Sequence, residues 1–357
     1  MDLVVVGPVN SLGYGVVCAN IVYELSKHME VGLNVIGGEI QPDDLSAFEP
    51  YVQRSVYRAR EIWRDSTHRK HLPHLHIWHE WELGGEWTGP TIGMPFFETI
   101  PLLDHAIDPL SACDLVVVPS QWAKEVINRY APKANVVYTK YAGYDPLIYH
   151  PNTHAPRRPG LIHAGKLEIR KGIDLVIKAF SMIYQDHPDL DLYCLIDNPF
   201  MPKWYGEWLK IVTEAGIENN PRQRVHCLRR RPTHANMAAL FRLMSGAVQP
   251  AHGEGFGLLS LEMLACGLPV ATTDNTGHAE FASEMNATII PSGALEPAAD
   301  GFFFTGDRQW YSVSLDDVVK GMLEVIHSPK VPVASSSLTW EAGVNRLVAT
   351  LKERKMV

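Results

Sequence analysis

Residues 251–270 read AHGEGFGLLSLEMLACGLPV, and the prediction of the fold begins from this stretch. Three glycines in five positions, at Gly253, Gly255 and Gly257, follow an apolar run and let the backbone pass close to a ligand. A helix predicted to begin near Leu258 would point its unpaired N–H groups and its positive dipole end at the same place. The stretch therefore predicts a strand, an anion-binding turn and a helix, which is a unit typical of α/β proteins.

Two glutamates in this stretch lie eight positions apart. Glu254 is in the glycine-rich loop, and Glu262 follows about one turn into the predicted helix, between apolar neighbours. This spacing allows the two carboxylates to face one ligand from different sides. The alternative is an ordinary strand-to-helix turn in which Glu262 is a solvated helix residue.

Short apolar runs alternate with segments of helical period, the pattern of parallel strands covered on both faces by helices. Strands are predicted in the first half at Leu3–Val6, Leu33–Ile36, Leu75–Trp78, Leu115–Val118 and Val136–Tyr138. The second half repeats the pattern at Gly160–Ala164, Leu190–Ile196, Arg224–Leu228, Gly246–Gln249 and Pro269–Thr272. We expect an α/β fold with two doubly wound domains facing a cleft.

The length of 357 residues suggests about two domains of typical size. A Pro-rich polar stretch, residues 151–159, separates the two series of strands and is interpreted as a linker. We expect a first domain over residues 1–152, a second over 153–334, and a C-terminal helical segment over 335–357. That segment is either a plain terminal helix on the second domain or a helix that crosses back to the first.

The composition excludes several classes of protein. A formal net charge of −8 and a pI near 6.0 disfavour duplex nucleic acid as a partner, so a local cluster must hold any anionic ligand. The N-terminus has an acid where a signal peptide has a cation, and no stretch reaches the roughly 18 apolar residues of a spanning helix. The five cysteines are odd in number and widely spread, which indicates buried thiols in a reducing compartment. We expect a cytoplasmic protein.

A second cluster, residues 163–174 (HAGKLEIRKGID), follows the first predicted strand of the second half. Its cations Lys166, Arg170 and Lys171 would lie at the carboxyl edge of the sheet, where open α/β folds bind ligands. They could neutralise a diphosphate that leaves with two negative charges. A solvated basic turn is the alternative, and the neighbouring anion-binding turn disfavours it.

A glycine-bearing loop, residues 7–15, joins a strand to a helix in the first half. It departs from the dinucleotide pattern G-x-G-x-x-G because Cys18 stands at the third small position after Gly13 and Gly15. The loop is therefore a candidate for a backbone clamp on one phosphate rather than for a dinucleotide site.

Residues 71–82 (HLPHLHIWHEWE) are rich in histidine. In a strand, His74 and His76 share a face while His79 takes the other side, so the three do not converge readily on one metal ion. His79 is the better candidate for a functional imidazole, with a structural role as the alternative. No metal site is predicted.

The segment Tyr51–His71 carries a local excess of positive charge. Its cations are Arg54, Arg58, Arg60, Arg64, Arg69 and Lys70. They would allow peripheral contact with an anionic membrane on its cytoplasmic face, or with an anionic acceptor. A solvated helix face is the alternative.

Several of these motifs resemble those of the retaining glycosyltransferases of family four, whose GT-B architecture has two Rossmann-like domains around a central cleft. Glu254 and Glu262 match the E-x7-E element of that family. The sequence GKLEIRKGID resembles its G-R-L-x-x-x-K-G diphosphate motif, with Lys166 in place of the arginine. Shorter matches are VPSQW at 118–122, GYD at 143–145 and GHAE at 277–280. The resemblance runs from about Gly7 to Trp340.

The resemblance implies a hexosyltransferase that moves a sugar from a nucleotide-diphosphate donor to an acceptor hydroxyl with retention of configuration. Glu262 would hold ribose hydroxyls, Glu254 would contact the donor sugar, and His79 would position the reacting centre. Lys166 and Lys171 would bind the diphosphate and stabilise it as it leaves. The other predicted donor-binding residues are Gly13, Gly15, Arg170, Gly255, Phe256, Gly257 and Leu258.

The resemblance implies neither a metal nor a cofactor, because the cations take a metal's place. The implied partners are the nucleotide sugar and a sugar, glycan or lipid-linked acceptor, with no nucleic acid. Three alternatives remain open: a sugar-phosphate phosphorylase, an epimerase on the same fold, and a non-catalytic protein that binds a nucleotide sugar or a glycan.

Overall fold

The computed structural model describes residues 1–40, 49–63, 71–84, 88–151, 159–217, 224–231 and 233–357. The chain divides into two compact units. The first unit combines Met1–Gly143 with Ser336–Val357, and the second is Tyr144–Ser335. Each unit is built around a six-stranded parallel sheet.

The first unit alternates strands and helices. In chain order they are β1 Leu3–Val9, α1 Gly13–Leu25, β2 Val31–Ile40, α2 Glu49–Trp63, β3 His74–His76, β4 Thr91–Gly93, α3 Asp104–Ala112, β5 Leu115–Val118, α4 Gln121–Tyr130 and β6 Val136–Tyr138. The strands lie in the order β2-β1-β3-β4-β5-β6, all parallel. The order reverses between β1 and β3, which is therefore the topological switch point of this sheet.

The second unit repeats the architecture and adds a hairpin. Its elements are β7 Gly160–Ala164, α5 Ile173–Ile183, β8 Asp191–Leu195, α6 Trp204–Glu214, β9 Val225–Leu228, α7 His234–Leu243, β10 Gly246–Gln249, α8 Leu258–Ala265, β11 Val270–Thr273, β12 Thr288–Ile290, β13 Ser292–Ala299, β14 Thr305–Val313 and α9 Leu315–His327. The parallel sheet has the order β12-β11-β10-β7-β8-β9, with its switch point between β7 and β10. The prediction of two doubly wound α/β sheets is confirmed.

Helix α5 illustrates why these segments fold as they do. Its apolar residues recur at helical spacing, and Ile173, Val176, Ile177, Phe180 and Ile183 are all buried in the core of the second unit. Burying a side chain of this size stabilises the fold by about 1.5–3 kcal/mol. The polar face of the helix stays outside, where Asp174 pairs with Lys178 one turn on.

The antiparallel hairpin of β13 and β14 is absent from the sequence prediction. Its turn is closed by Asp300, whose Oδ1 accepts hydrogen bonds from the backbone N–H groups of Phe302, Phe303 and Phe304 at 2.9, 2.8 and 2.9 Å. Gly301 takes the left-handed conformation that the turn requires, with φ of 73°. A loop of three to five residues that contains glycine is a weaker hairpin signal than a two-residue Asn-Gly or Asp-Gly turn, so the sequence held only part of the information.

Other differences concern short strands and strand ends. The sequence prediction lacks β4 and β12, each of which has three residues. It ends the third strand at Trp78, whereas β3 ends at His76. It also places the second strand at Leu33–Ile36, which is the middle of the longer β2.

The division between the units precedes the expected boundary after residue 152. Tyr149 lies in the second unit, where its hydroxyl is 2.6 Å from His234 Nδ1. Arg242 fixes the same segment by donating to the carbonyl of Ile148 at 3.0 Å. Residues 152–158, most of the expected linker, lie outside the described residues.

The last helix, α10 (Trp340–Glu353), belongs to the first unit. The Arg346 guanidinium donates to the carbonyl oxygen of Lys140 at 2.6 and 3.1 Å. The hydroxyl oxygens of Thr350 and Thr139 lie 3.2 Å apart. Of the two positions expected for the C-terminal segment, the structure has the one on the first unit.

All five cysteines are free thiols, and four of them are buried. Burial raises the pKa of Cys266 to about 12 and contributes most to the rise of Cys227 to about 11. No helix in the described part of the chain has both the length and the hydrophobicity that crossing a bilayer requires.

Candidate functional site

Two turns of the second unit meet at its switch point. One follows β7 and contains a short 3-10 segment, Ile169–Lys171; the other follows β10. The backbone N–H of His252 donates to the carbonyl of Arg170 at 2.8 Å and joins the turns. Gly172 has φ of 73°, and a Cβ there would overlap the carbonyl of Pro250, so only glycine fits. The candidate site is therefore a fixed junction of two backbones at the carboxyl edge of the sheet.

The carboxylate of Glu254 contacts two of the predicted cations. Its carboxylate accepts a short hydrogen bond from the Lys171 ammonium and lies 3.6 Å from the Arg170 guanidinium. Arg170 also donates to the carbonyl of Gly253 at 2.6 Å. The structure thus brings Glu254 to two adjacent cations that precede it by 83 or more residues in the sequence.

Glu168 extends this group and was missed among the candidates. Its Oε1 lies 2.7 Å from the Lys166 ammonium, and its Oε2 accepts from the Arg170 guanidinium at 2.8 Å. The carboxylate is buried, with 5% of the residue exposed. The signal in the sequence was an acid enclosed by cations in KLEIRK, since a buried charge needs partners.

The charges of this cluster are those of an anion site. We call Lys166, Glu168, Arg170, Lys171 and Glu254 the ionic cluster. Burial works against ionisation of Glu254, but the charges of Lys171 and Arg170 outweigh it and lower the pKa to about 2. The pKa of Glu168 is likewise lowered to about 2, against burial, by Arg170 and Lys166. Burial lowers the pKa of Lys171. Three cations against two carboxylates leave one net positive charge.

The glycine-rich loop is held by the segment Thr276–Glu280, which contains the predicted GHAE motif. The N–H of Glu254 donates to the Thr276 hydroxyl at 2.8 Å, and the N–H of Gly277 donates to the carbonyl of Glu254 at 2.9 Å. Gly257, with φ of 95°, lies so close to His278 that a Cβ would overlap the ring. The backbone at Glu254 and at Gly257 is therefore held by the second loop.

The buried side chain of His278 connects this loop to β11 and α8. Its Nδ1 lies 3.0 Å from the Thr272 hydroxyl and 3.2 Å from the Thr273 hydroxyl, and its Nε2 lies 3.2 Å from the Ser260 hydroxyl. Burial lowers its pKa to about 4, so the ring is neutral at neutral pH. This supporting role of His278 was not predicted from the sequence.

Helix α8 positions Glu262. The residue is 4% exposed, so the alternative of a solvated helix residue is wrong. Its carboxylate interacts with the buried hydroxyl of Tyr149, whose pKa is raised by burial and then by Glu262. Gly257 is the N-cap of α8, which has neither a side-chain cap nor an acid in its first turn. The N–H groups at this helix start are available to an anion.

The other predicted residues of this loop differ in what they can offer. Gly255 and Leu258 are half-buried, so their backbones are within reach of a ligand. The Phe256 side chain is buried against Phe281, with ring centroids 5.7 Å apart. Phe256 could therefore contribute only its backbone to donor binding.

The hairpin reaches the same site. The carbonyl of Tyr311 lies 2.8 Å from His252 Nδ1, and the ring of Trp310 lies 5.0 Å from that of His252. At the hairpin's turn, Phe303 lies 5.7 Å from the Lys166 ammonium, and Phe200 lies 5.1 Å from it on another side. Phe303 was missed because the hairpin itself was missed, and Phe200, which follows β8, was not among the candidates either.

The first unit holds the remaining candidates, at the switch point of its own sheet. Helix α1 begins at Gly13, and no side chain caps it. A Cβ at Gly15 would overlap the backbone of Asn10, whereas one at Gly13 would meet nothing within 4 Å. His79 follows β3, with its Nδ1 3.4 Å from the Tyr14 hydroxyl. The roles of Gly13, Gly15 and His79 stay predictions.

No group of three or more histidine, cysteine, aspartate or glutamate side chains suited to a metal ion occurs among the described residues. The rings of His74 and His76 lie 6.5 Å apart, and burial lowers the pKa of each to about 4. In the basic segment, Arg58 lies 3.4 Å from Glu30 and Arg54 is exposed. The Arg60 side chain, Arg64, Arg69 and Lys70 lie outside what the structure describes.

The family model that matches this chain covers part of the second unit. Residues 149–302 match the family model of the glycosyl transferases group 1. The D-inositol 3-phosphate glycosyltransferase of Pseudarthrobacter chlorophenolicus is 28% identical over 171 residues, 45% of this chain and 40% of that protein. The mannosylfructose-phosphate synthase of Agrobacterium fabrum is 22% identical over 321 residues, 80% of this chain and 64% of that protein. The matches span less than two thirds of either relative.

A solved structure with the same fold is the sucrose-phosphate synthase from Thermosynechococcus elongatus. It has a TM-score of 0.65, with 99% of this chain and 96% of that chain covered, at 13% sequence identity. At so low a sequence identity, the structural similarity shows the fold alone. This fold is GT-B, with two Rossmann-like units. The chain therefore has the GT-B fold, and residues 149–302 of its second unit are similar to the glycosyl transferases group 1.

Proposed function

We propose that the protein transfers a hexosyl group from a nucleotide-diphosphate sugar to an acceptor hydroxyl, with retention of configuration and without a metal ion. The observation that carries this proposal is the ionic cluster, in which buried carboxylates hold three cations at the switch point of the second sheet. The acceptor is a sugar, a glycan or a lipid-linked hydroxyl. The match of residues 149–302 to the glycosyl transferases group 1 supports the same conclusion.

The cations stabilise the departing diphosphate. When the bond between the anomeric carbon and the phosphate oxygen breaks, the sugar becomes oxocarbenium-like and the diphosphate gains negative charge. Lys166, Arg170 and Lys171 are already oriented by their carboxylate partners, so they need not reorganise as the charge develops. The positive end of α8 adds a fixed dipole beside them.

The two acids bind hydroxyl groups. With its pKa lowered to about 2, Glu254 is ionised at neutral pH and does not protonate the leaving oxygen. It accepts hydrogen bonds from donor-sugar hydroxyls and places a negative charge near the cationic anomeric centre. Glu262 accepts from the ribose hydroxyls, with its orientation fixed through Tyr149.

Retention follows from attack on the face that the diphosphate leaves. The acceptor oxygen forms the new bond to the anomeric carbon, the bond to the phosphate oxygen breaks, and the acceptor proton passes to a diphosphate oxygen. This route requires no carboxylate nucleophile and no separate base. The role we propose for His79 is to orient the reacting groups.

The first prediction concerns Lys171. We expect Lys171→Met to lower kcat by about 10²- to 10³-fold, since it removes a charged donor aimed at the leaving group. Transfer is measured with a panel of nucleotide sugars and simple saccharide acceptors. The matched control is Lys178→Met, because Lys178 lies along α5 in an exposed pair with Asp174 and not in the ionic cluster.

Product analysis completes this test. The anomeric coupling constant in the proton NMR spectrum of the product should match that of the donor sugar, and EDTA should leave the rate unchanged. Inversion, or loss of activity with EDTA, would contradict those parts of the proposal. A wild-type protein that binds nucleotide sugars without turnover with any acceptor would be a binding protein instead.

A further inference from the structure

Aromatic side chains gather at the carboxyl edge of the first sheet. Tyr14 lies at the start of α1, Trp78, His79 and Trp81 follow β3, and Phe96 follows β4. The Tyr14 ring lies 5.4 Å from Trp78, 5.0 Å from His79 and 5.6 Å from Phe96. His79 stacks on Trp81 at 4.5 Å with an angle of 5° between the rings. We call these five residues the aromatic edge.

The rings of the aromatic edge are held in place and only half-buried. The Tyr14 hydroxyl donates to the carbonyl of Phe96 at 2.8 Å, and the Trp78 indole N–H donates to Glu82 at 2.6 Å. Each of the five residues keeps part of its surface accessible to solvent. All five lie at the carboxyl edge of the sheet, where open α/β folds bind ligands. Fixed rings that remain partly accessible at such an edge form a surface suited to a flat apolar partner.

The charges around the aromatic edge are negative. The sequence from residue 71 to residue 123 contains no lysine or arginine, although it supplies the segments that follow β3 and β4. Glu80, Glu82 and Glu98 lie in the same segments. The pKa of Tyr14 is raised first by burial and then by Glu98 and Glu80, so these carboxylates are within electrostatic reach. The amino end of α1 is a positive feature of this edge, and Gly13 and Gly15 there are predicted from the sequence to bind the donor.

We propose that the aromatic edge binds an uncharged saccharide ring and discriminates against a phosphorylated one. A pyranose ring presents a face of C–H groups that packs on an aromatic ring, and its hydroxyls donate to carboxylates at its rim. A phosphate group carries negative charge and needs cationic partners, which these segments do not contain. Like charges nearby would repel it. If the proposed function holds, this saccharide is the acceptor.

The experiment measures saccharide binding without any nucleotide sugar. The wild-type protein is titrated with glucose, N-acetylglucosamine and maltose, and with glucose 6-phosphate and N-acetylglucosamine 6-phosphate, by calorimetry and saturation-transfer NMR. We expect binding of at least one neutral sugar, with saturation transferred to its ring C–H protons, and affinity at least tenfold weaker for its phosphate. Tighter binding of a phosphate, or no binding of any neutral sugar at millimolar concentration, would overturn the proposal.

Variants locate the binding. Trp78→Leu should weaken binding of the neutral sugar by about five- to tenfold, and Trp78→Phe should retain part of it because a ring remains. Tyr57→Ala is the control, since Tyr57 is an exposed aromatic residue on α2, with 64% of its surface accessible. Unchanged binding in a folded Trp78→Leu variant would overturn the assignment of the surface.

The outcomes separate this inference from the proposed function. If neutral sugars bind but no nucleotide sugar supports transfer, the proposed function fails and the aromatic edge keeps its assignment. If transfer proceeds only to phosphorylated acceptors, the proposed function holds and the inference is wrong.

Discussion

Glu168 orders the three neighbouring cations of the ionic cluster. Its two oxygens take different partners, Lys166 and Arg170, and Arg170 then reaches Glu254. The sequence predicted the cations and both E-x7-E acids, because each stands in a motif with its own chemistry. It did not indicate Glu168, because the direction of a side chain entering a 3-10 turn depends on backbone angles that a motif does not reveal.

Substitution of Glu168 tests this ordering role. Glu168→Gln keeps the size of the side chain but removes the charge that holds Lys166 and Arg170. Since both cations then lose an ionic partner, we expect kcat for sugar transfer to fall about tenfold with a smaller change in the donor KM. Steady-state kinetics with one donor and one acceptor measure this split.

Two further variants show whether the charge of Glu168 causes the loss of kcat. Glu168→Asp, which restores the charge on a shorter side chain, should recover part of kcat. Asp317→Asn is the control, because it removes one partner of an exposed pair with Lys320 and should leave the rate unchanged. Wild-type kcat in Glu168→Gln would show that the cations are held without it.

The hairpin is the element that adds most to the candidate site. Through Tyr311 it fixes His252, and through the side chain of Phe303 it covers one side of Lys166. Phe302 and Phe303 remain 49% and 42% exposed at the turn. Apolar side chains with that much exposure contribute little to folding, so the effect to test is the contact of Phe303 with Lys166, which Phe302 supports through its ring contact with Phe303 at 4.4 Å.

Removal of the two phenylalanines should change donor binding rather than stability. A cation–π contact at an accessible site is worth about 0.5–1 kcal/mol, which corresponds to about a two- to fivefold change in an equilibrium constant. We expect the double variant Phe302→Ser, Phe303→Ser to raise the donor KM by that factor, with kcat and Tm nearly unchanged.

The same hairpin provides the control for this variant. Leu295 is 38% exposed on β13. Leu295→Ser removes an exposed apolar side chain from the hairpin and leaves the contact between Phe303 and Lys166 in place. It should leave KM unchanged. Equal effects of both variants would assign the change to the hairpin as a whole rather than to the aromatic contact.

Across the chain, periodicity predicted the parallel strands, and motif spacing predicted which turns carry the charges. The division at Gly143 could not be read in this way, because it depends on contacts of Tyr149 and Arg242 with residues far along the chain. The position of α10 likewise depends on Arg346 and Lys140, which lie 206 residues apart. Long-range pairing of this kind has no local signal in a single sequence.

Buried histidines and carboxylates in both units make the stability of the chain depend on pH. The pKa values of four histidines are lowered to about 4 by burial: His74, His76, His163 and His278. Between pH 6.5 and pH 4 the unfolded chain therefore binds protons that the folded chain does not. The free energy of unfolding falls as the pH is lowered through this range. Glu168 and Glu254, with pKa values lowered to about 2, add a further loss from about pH 4.5 downwards.

We expect Tm to fall continuously as the pH is lowered from 7 to 4, with each buried histidine contributing a slope of about 1.4 kcal/mol per pH unit where only its unfolded form is protonated. Differential scanning calorimetry between pH 7 and 4 measures this dependence. His278→Asn removes one such group and should flatten the slope, whereas His28→Asn, at an exposed histidine, should leave it as in the wild type. A Tm independent of pH between 6.5 and 4.5 would mean that the buried histidines protonate in the folded chain as readily as in the unfolded one.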